Sequence, residues 1–121
     1  MIQGIADVFY FVADMDRAAA FYRDVVGLGE PTYASGHWTA FAAGGTTFAL
    51  HWTGGSPVAQ AQGDHGSRAG ATVTFVTDDV AATIEALRAQ GAPILQEPQM
   101  ADWGTTATAA DPDGNVFKLK G

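Results

Sequence analysis

A chain of 121 residues, 47% hydrophobic and 16% charged, has the size for one modest core and a globular rather than disordered composition. Thirteen acids against six bases give a net charge of −7, which argues against nucleic acid or an anionic membrane as partner and mildly favours cationic ligands. Cysteine is absent, which excludes disulfides, thiolate metal sites and a cysteine nucleophile.

In chain order, MIQGIADVFYFV has no basic segment and no small-residue cleavage site, so it reads as the start of a cytoplasmic domain and not as a signal peptide. No apolar run approaches the roughly 18 residues of a membrane span. Residues 5–12 alternate and are rich in aromatic and β-branched types, the pattern of a strand. Asp14 is placed to cap a helix from near Met15, with Asp16 in its first turn. Ala18, Phe21, Tyr22, Val25 and Val26 give that helix an apolar face, and Gly27 and Gly29 end it. Strands are predicted at 30–35, 37–43 and 46–53. In the last of these, alternation turns Phe48, Leu50 and Trp52 toward the helix.

The segment TGGSPVAQAQGDHGSRAG, 53–70, has no clean period and reads as a linker or lid, with His65 solvated. It divides a first module, 1–54, from a second, 70–121, with 55–69 as the connection. Residues 70–76 form the next strand, and Asp78 or Asp79 caps a helix bearing Val80, Ile84, Leu87 and Arg88. Gly91 stops that helix, and strands are predicted at 93–99, 105–110 and 115–120.

The order strand, helix, three strands therefore occurs twice. Phe11, Val12, Asp14, Ala18 and Gly27 recur as Phe75, Val76, Asp78, Ala82 and Gly91, a shift of 64 (75 − 11 = 64). An internal repeat of this kind makes the fold class α+β, with two tandem βαβββ modules.

Asp111-Pro112-Asp113-Gly114-Asn115 is turn chemistry between two strands. It is not a calcium loop, because glycine is fourth and no glutamate follows at the twelfth place. No HExxH, GxSxG, Walker or GxGxxG motif is present, and no Ser–His–Asp set suggests itself.

The stretches FVADMDRAAAFYRDVVGL, FVTDDVAATIEALRAQGAPIL and WGTTATAADPDGNVFKL together resemble the vicinal oxygen chelate superfamily, which includes glyoxalase I, extradiol dioxygenases and bleomycin-resistance-type proteins. The resemblance covers essentially the whole chain. It implies that each βαβββ module curls into a half-barrel around a groove and that the protein is a homodimer. It also implies four metal-ligand positions, which fall here on Asp7, Ala49, Thr72 (Ala71 if the register slips) and Lys118. Alanine has no lone pair and lysine carries a positive charge, so these four do not make a divalent-cation site. The expectation is a member without metal or other cofactor.

Two readings of Asp7 and Lys118 stand side by side: an ion pair in place of the metal, or direct contacts to a ligand. His51, two residues beyond Ala49, is either a hydrogen-bonded strand histidine or a ligand contact. Phe9, Phe11, Tyr33, Trp38, Phe41 and Trp103 are candidates for an aromatic surface. Drug-binding relatives clamp planar ligands near the position of Trp103, with His37 or Trp38 as the opposing wall. The ligand set read from the sequence is Asp7, Phe9, His37, Trp38, Phe41, Ala49, His51, Thr72, Trp103 and Lys118.

Three functions are weighed. The first is a metal-free protein that sequesters a bulky aromatic or cationic natural product and so confers antibiotic resistance. The second is a glyoxalase- or dioxygenase-type enzyme, either with metal held by Asp7, His51 and a residue of another subunit, or with Asp7 or His51 as general base. The third is a structural module with a filled groove.

Overall fold

Tyr10 and Val12 point to one side of the first strand and Phe9 and Phe11 to the other, and the first helix takes the side of Tyr10. The computed structural model describes residues 1–58 and 71–121, and the chain divides into two contact units, Met1–Val58 and Ala59–Gly121. The expected linker or lid and His65 lie, from residue 59 onward, outside the described residues.

In the first unit β1 (Val8–Val12) is followed by α1 (Met15–Ala20), which runs directly into a π-helical segment, Phe21–Val25. Then come β2 (Tyr33–Ala34), β3 (Trp38–Ala43) and β4 (Thr46–Trp52). The sheet order is β1-β4-β3-β2, with β1 parallel to β4 and the other pairs antiparallel. A parallel pair requires a long crossover, which α1 supplies. Asp14 caps the helix as expected, its Oδ1 accepting from Arg17 N at 3.1 Å. Tyr22 meets Phe48 at 4.9 Å between ring centroids, and Phe48 meets Tyr10 at 5.6 Å. With Val12, Met15, Ala18, Phe21, Phe41 and Leu50 these rings form the buried side of the sheet.

The second unit has the same order: β5 (Val73–Val76), α2 (Val80–Ala89), β6 (Ile94–Ala101), β7 (Gly104–Ala110) and β8 (Val116–Lys120). Its sheet runs β5-β8-β7-β6, again with the outer strand β5 parallel to its neighbour. Asp79 is the cap, its Oδ1 accepting from Ala82 N at 2.9 Å. Gly91, at φ 81°, ends the helix. There Ala92 N bonds to Leu87 O and Gly91 N to Arg88 O, each at 3.0 Å, a Schellman closure. Arg88 bonds to Glu97 of β6, and that hydrogen bond raises the guanidinium's already high pKa. Phe75, Ile84, Leu87, Phe117 and Leu119 are buried on the helix side. Pro98 interrupts β6, an edge strand, where the pairing with β7 shifts register.

The fold is therefore α+β with two βαβββ units, but the repeat is offset by one residue from the sequence estimate. The caps Asp14 and Asp79 and the buried pairs Met15/Val80 and Tyr22/Leu87 are each 65 apart (79 − 14 = 65). This offset matches Asp7 with Thr72, not with Ala71. Among the described residues no helix is long and apolar enough to cross a membrane.

The turn before β8 is a buried polar knot. Asp111 is 2% exposed and Asn115 5%. Asp111 Oδ1 accepts from the backbone N–H of Asp113 and of Asn115 at 2.9 Å each, and Oδ2 accepts from Asn115 Nδ2 at 3.0 Å. Gly114 supplies the φ of 85° that the turn needs. Removing this carboxylate strands three donors, two of them in a buried residue. Asp111→Ala is expected to cost about 2–4 kcal/mol in urea denaturation, and Asp111→Asn less. A loss below about 1 kcal/mol for the alanine variant would show that the knot does not hold β8 in place.

Candidate ligand-binding face

Strand pairing sorts the side chains of the first unit onto two faces. Phe9 pairs with Ala49 and Phe11 with His51, while Ala40 pairs with Ala49 and Trp38 with His51. These residues share the face opposite α1. One row across the sheet is thus Phe11–His51–Trp38, and the next is Phe9–Ala49–Ala40–Tyr33.

The aromatic members touch one another. Ring centroids are 5.4 Å apart for Phe9–Phe11, 5.3 Å for Phe9–Trp38, 5.6 Å for Phe9–His51 and 5.0 Å for Phe11–His51. Trp38 and His51 meet edge to face at 5.9 Å. Phe9 is nevertheless 40% exposed, Phe11 48% and Tyr33 59%. Strands two apart in a sheet are about 9.5 Å from each other, so Phe9 on β1 and Trp38 on β3 lean together over β4. Ala40 and Ala49 lie buried between them. Small residues in the middle strand are what allow the rings to meet.

His51 Nδ1 is 2.9 Å from Trp52 O. A carbonyl only accepts, so Nδ1 carries the proton, and in the neutral ring Nε2 is left as an acceptor. Asp7 is half-buried just before β1, and alternation places it on the face of Phe9.

Two residues of the predicted set lie on the other face. Phe41 pairs with Phe48 and is fully buried on the helix side. Its ring belongs to the core because β3 alternates in phase with β4. His37 precedes β3, and its ring sits 5.4 Å from that of Trp52, a residue in register with Val12 on the helix side. Phe41 is thereby corrected from a ligand contact to a core position, whereas His37 is exposed at the start of the strand. Phe11, named in the sequence only among the aromatics, is a full member of the open face. Its pairing with His51 was hidden until the parallel register of β1 and β4 was known.

The open face of the second unit is polar. Thr74 pairs with Lys118, and Thr108 and Thr106 pair with Lys118 and Lys120. Lys118 Nζ donates to Thr108 Oγ1 at 3.3 Å, Thr108 Oγ1 donates to Gln96 Oε1 at 3.1 Å, and Gln96 Nε2 donates to Gln99 Oε1 at 2.8 Å. Trp103 occupies the two-residue turn between β6 and β7, 63% exposed, with Lys120 Nζ 5.7 Å from its ring centroid. Thr72 is exposed just before β5. Thr106, Thr108 and Gln96 were not singled out from the sequence. Alternation along Val116–Lys120 places Lys118 and Lys120 on one face, but the β6 partners are set by register shifts that have no sequence signal.

A divalent metal does not fit the four positions that the family resemblance marks. Ala49 is buried and offers no donor, and Lys118 presents an ammonium that is itself a donor. Among the described residues no three His, Cys, Asp or Glu side chains lie together.

The two faces predict opposite mutational behaviour. Phe41→Ala should cost about 3–5 kcal/mol of folding stability, whereas Phe11→Ala should cost about 1 kcal/mol or less. Thermal and urea unfolding of the two variants checks this. Comparable losses would mean that Phe11 is packed as core.

Comparison with known proteins agrees with this architecture. A family model for the Glyoxalase/Bleomycin resistance protein/Dioxygenase superfamily matches residues 4–119. The chain is 30% identical over 126 residues to the uncharacterized protein YetH of Bacillus subtilis (strain 168), covering 99% of each. A glyoxalase-related enzyme from Fulvimarina pelagi has the same fold at TM-score 0.77 and 20% identity, over 98% of this chain and 88% of that one. The lactoylglutathione lyase of Agrobacterium tumefaciens superposes at TM-score 0.67 and 24% identity, over 98% of this chain and 93% of that one. The paired βαβββ units and the match over nearly the full length place the chain in the Glyoxalase/Bleomycin resistance protein/Dioxygenase superfamily.

Proposed function

We propose that this protein binds a bulky, partly aromatic small molecule without transforming it, and so withholds it from other targets. Antibiotic sequestration by a homodimer is the form of this activity that the reading favours. The carrying observation is the exposed ring cluster Phe9, Phe11, Trp38 and His51, built over buried alanines on the face of the sheet opposite α1. Monomeric proteins seldom leave such a contiguous apolar patch bare unless something docks there. Superfamily membership supports a small-molecule occupant. Sequestration asks only for tight binding, so it needs no base or Lewis acid at the positions where Ala49 and Lys118 stand.

In this reading a planar ligand enters by parting Phe9 from Trp38 and settles over Ala49 and Ala40. The His51 Nε2 lone pair then meets a hydroxyl or N–H on the ligand. Asp7, Thr72, Trp103 and Lys118 remain in the proposed contact set.

Tryptophan fluorescence, titrated against a panel of antitumour antibiotics and planar natural products, tests the proposal. Saturable quenching is expected, with the ligand recovered unchanged. Trp38→Ala should weaken binding by about 1–3 kcal/mol. Ala49→Leu, which would prop the rings apart, should weaken it while leaving the fold intact. Absence of saturable binding across the panel, or a ligand returned chemically altered, would refute the proposal.

A further inference from the structure

We infer that the open face of the second sheet recognises a carboxylate, and that the ligand is therefore an organic acid carrying a planar ring. This deepens the binding function proposed above and rests on it. It also runs against the expectation, drawn from net charge, of a cationic ligand.

The protein has only two lysines, Lys118 and Lys120. Both lie on β8 and, two residues apart, on the same face. Their ammonium groups therefore spring from backbone positions about 7 Å apart. The arginines Arg23 and Arg88 are committed to carboxylates, Arg23 to Asp24 at 2.8 Å and Arg88 to Glu85 and Glu97. Among the described residues neither lysine is paired with a carboxylate. Lys120 lies over the Trp103 ring.

Lys118 is half-buried and held in a directed chain. Thr108 is 0% exposed and spends its proton on Gln96 Oε1, so its oxygen is the acceptor for Lys118 Nζ. An ammonium has three donors and this contact uses one. Among the described residues no second acceptor engages Lys118 Nζ, which leaves two N–H groups for an outside one. A fixed, partly desolvated ammonium favours an anionic oxygen, because charge-assisted hydrogen bonds are roughly twice as strong as neutral ones.

The surrounding residues suit the same guest. Thr74 and Thr106 flank the lysines with hydroxyls that can donate to a carboxylate. Trp103, exposed at the adjoining turn, offers an aromatic face for a ring attached to the acid. The net charge of −7 acts over the Debye length and is screened by salt, while a hydrogen-bonded contact at Lys118 is not. The local lysines therefore decide ligand charge.

A matched pair of probes isolates the charge: 2-naphthoate and its neutral isostere 2-naphthamide, titrated by calorimetry into the full chain at about 0.15 M salt, where the net charge is screened beyond about 8 Å. The wild-type protein is expected to prefer naphthoate by about tenfold or more. Lys118→Gln should bring the ratio close to one, Lys118→Arg should preserve it, and Lys120→Gln should reduce it in part. Equal affinity for the two probes in the wild type would overturn the carboxylate site while leaving aromatic binding intact. An undiminished preference in Lys118→Gln would overturn it as well. Failure of both probes to bind would count against the small-molecule function itself.

Discussion

The parallel pairing of the first and last strand in each unit is the constraint on which the rest depends. It fixes which residues of β1 stand beside which residues of β4, and so sends Phe9 and Phe11 away from the helix together with Ala49 and His51. A slip of β1 by one residue would exchange its two faces, turning Tyr10 and Val12 to the open side and Phe9 and Phe11 toward the helix. The helix side resists that slip because Tyr10, Tyr22 and Phe48 already interlock there. The site is therefore a consequence of core packing on the opposite side of the same strands.

The same constraint gives the two units different chemistry on one scaffold. At matched places in the sheets, the pair Phe9–Ala49 in one unit corresponds to Thr74–Lys118 in the other. One face is aromatic and apolar, floored by alanines. The other is a row of lysine, threonine and glutamine side chains joined by hydrogen bonds. Neither arrangement offers the convergent imidazoles and carboxylates that hold a divalent ion. The turn Asp111–Asn115 matters here because it sets where β8, and with it Lys118, begins.

Much of this could be read from the sequence for identifiable reasons. Caps and stops were visible because Asp14, Asp79 and Gly91 act locally. Alternation placed Phe48, Leu50 and Trp52 on the helix side. The strand–helix–three-strand repeat gave the fold class. The offset of the repeat was missed by one residue because residue-type matches such as Phe11 with Phe75 carry no information on facing: Phe75 is core, and its partner is Tyr10. Phe41 was misplaced because the relative phase of β3 and β4 is set by their hairpin, and composition does not encode that phase. The Lys118–Thr108–Gln96 chain joins three strands through a register shift in β6, a long-range arrangement with no sequence counterpart.

The central claim is that the ring cluster on the first sheet holds a ligand and leaves it unchanged. Two-dimensional NMR of the aromatic side chains during titration with a bound member of the natural-product panel tests this most directly, because protein and ligand are observed in one sample. The account predicts shifts in Phe9, Phe11, Trp38 and His51, none in Phe41, and a ligand spectrum that keeps its chemical identity over a day. Shifts that bypass those four rings, or ligand signals converting to a product, would contradict it.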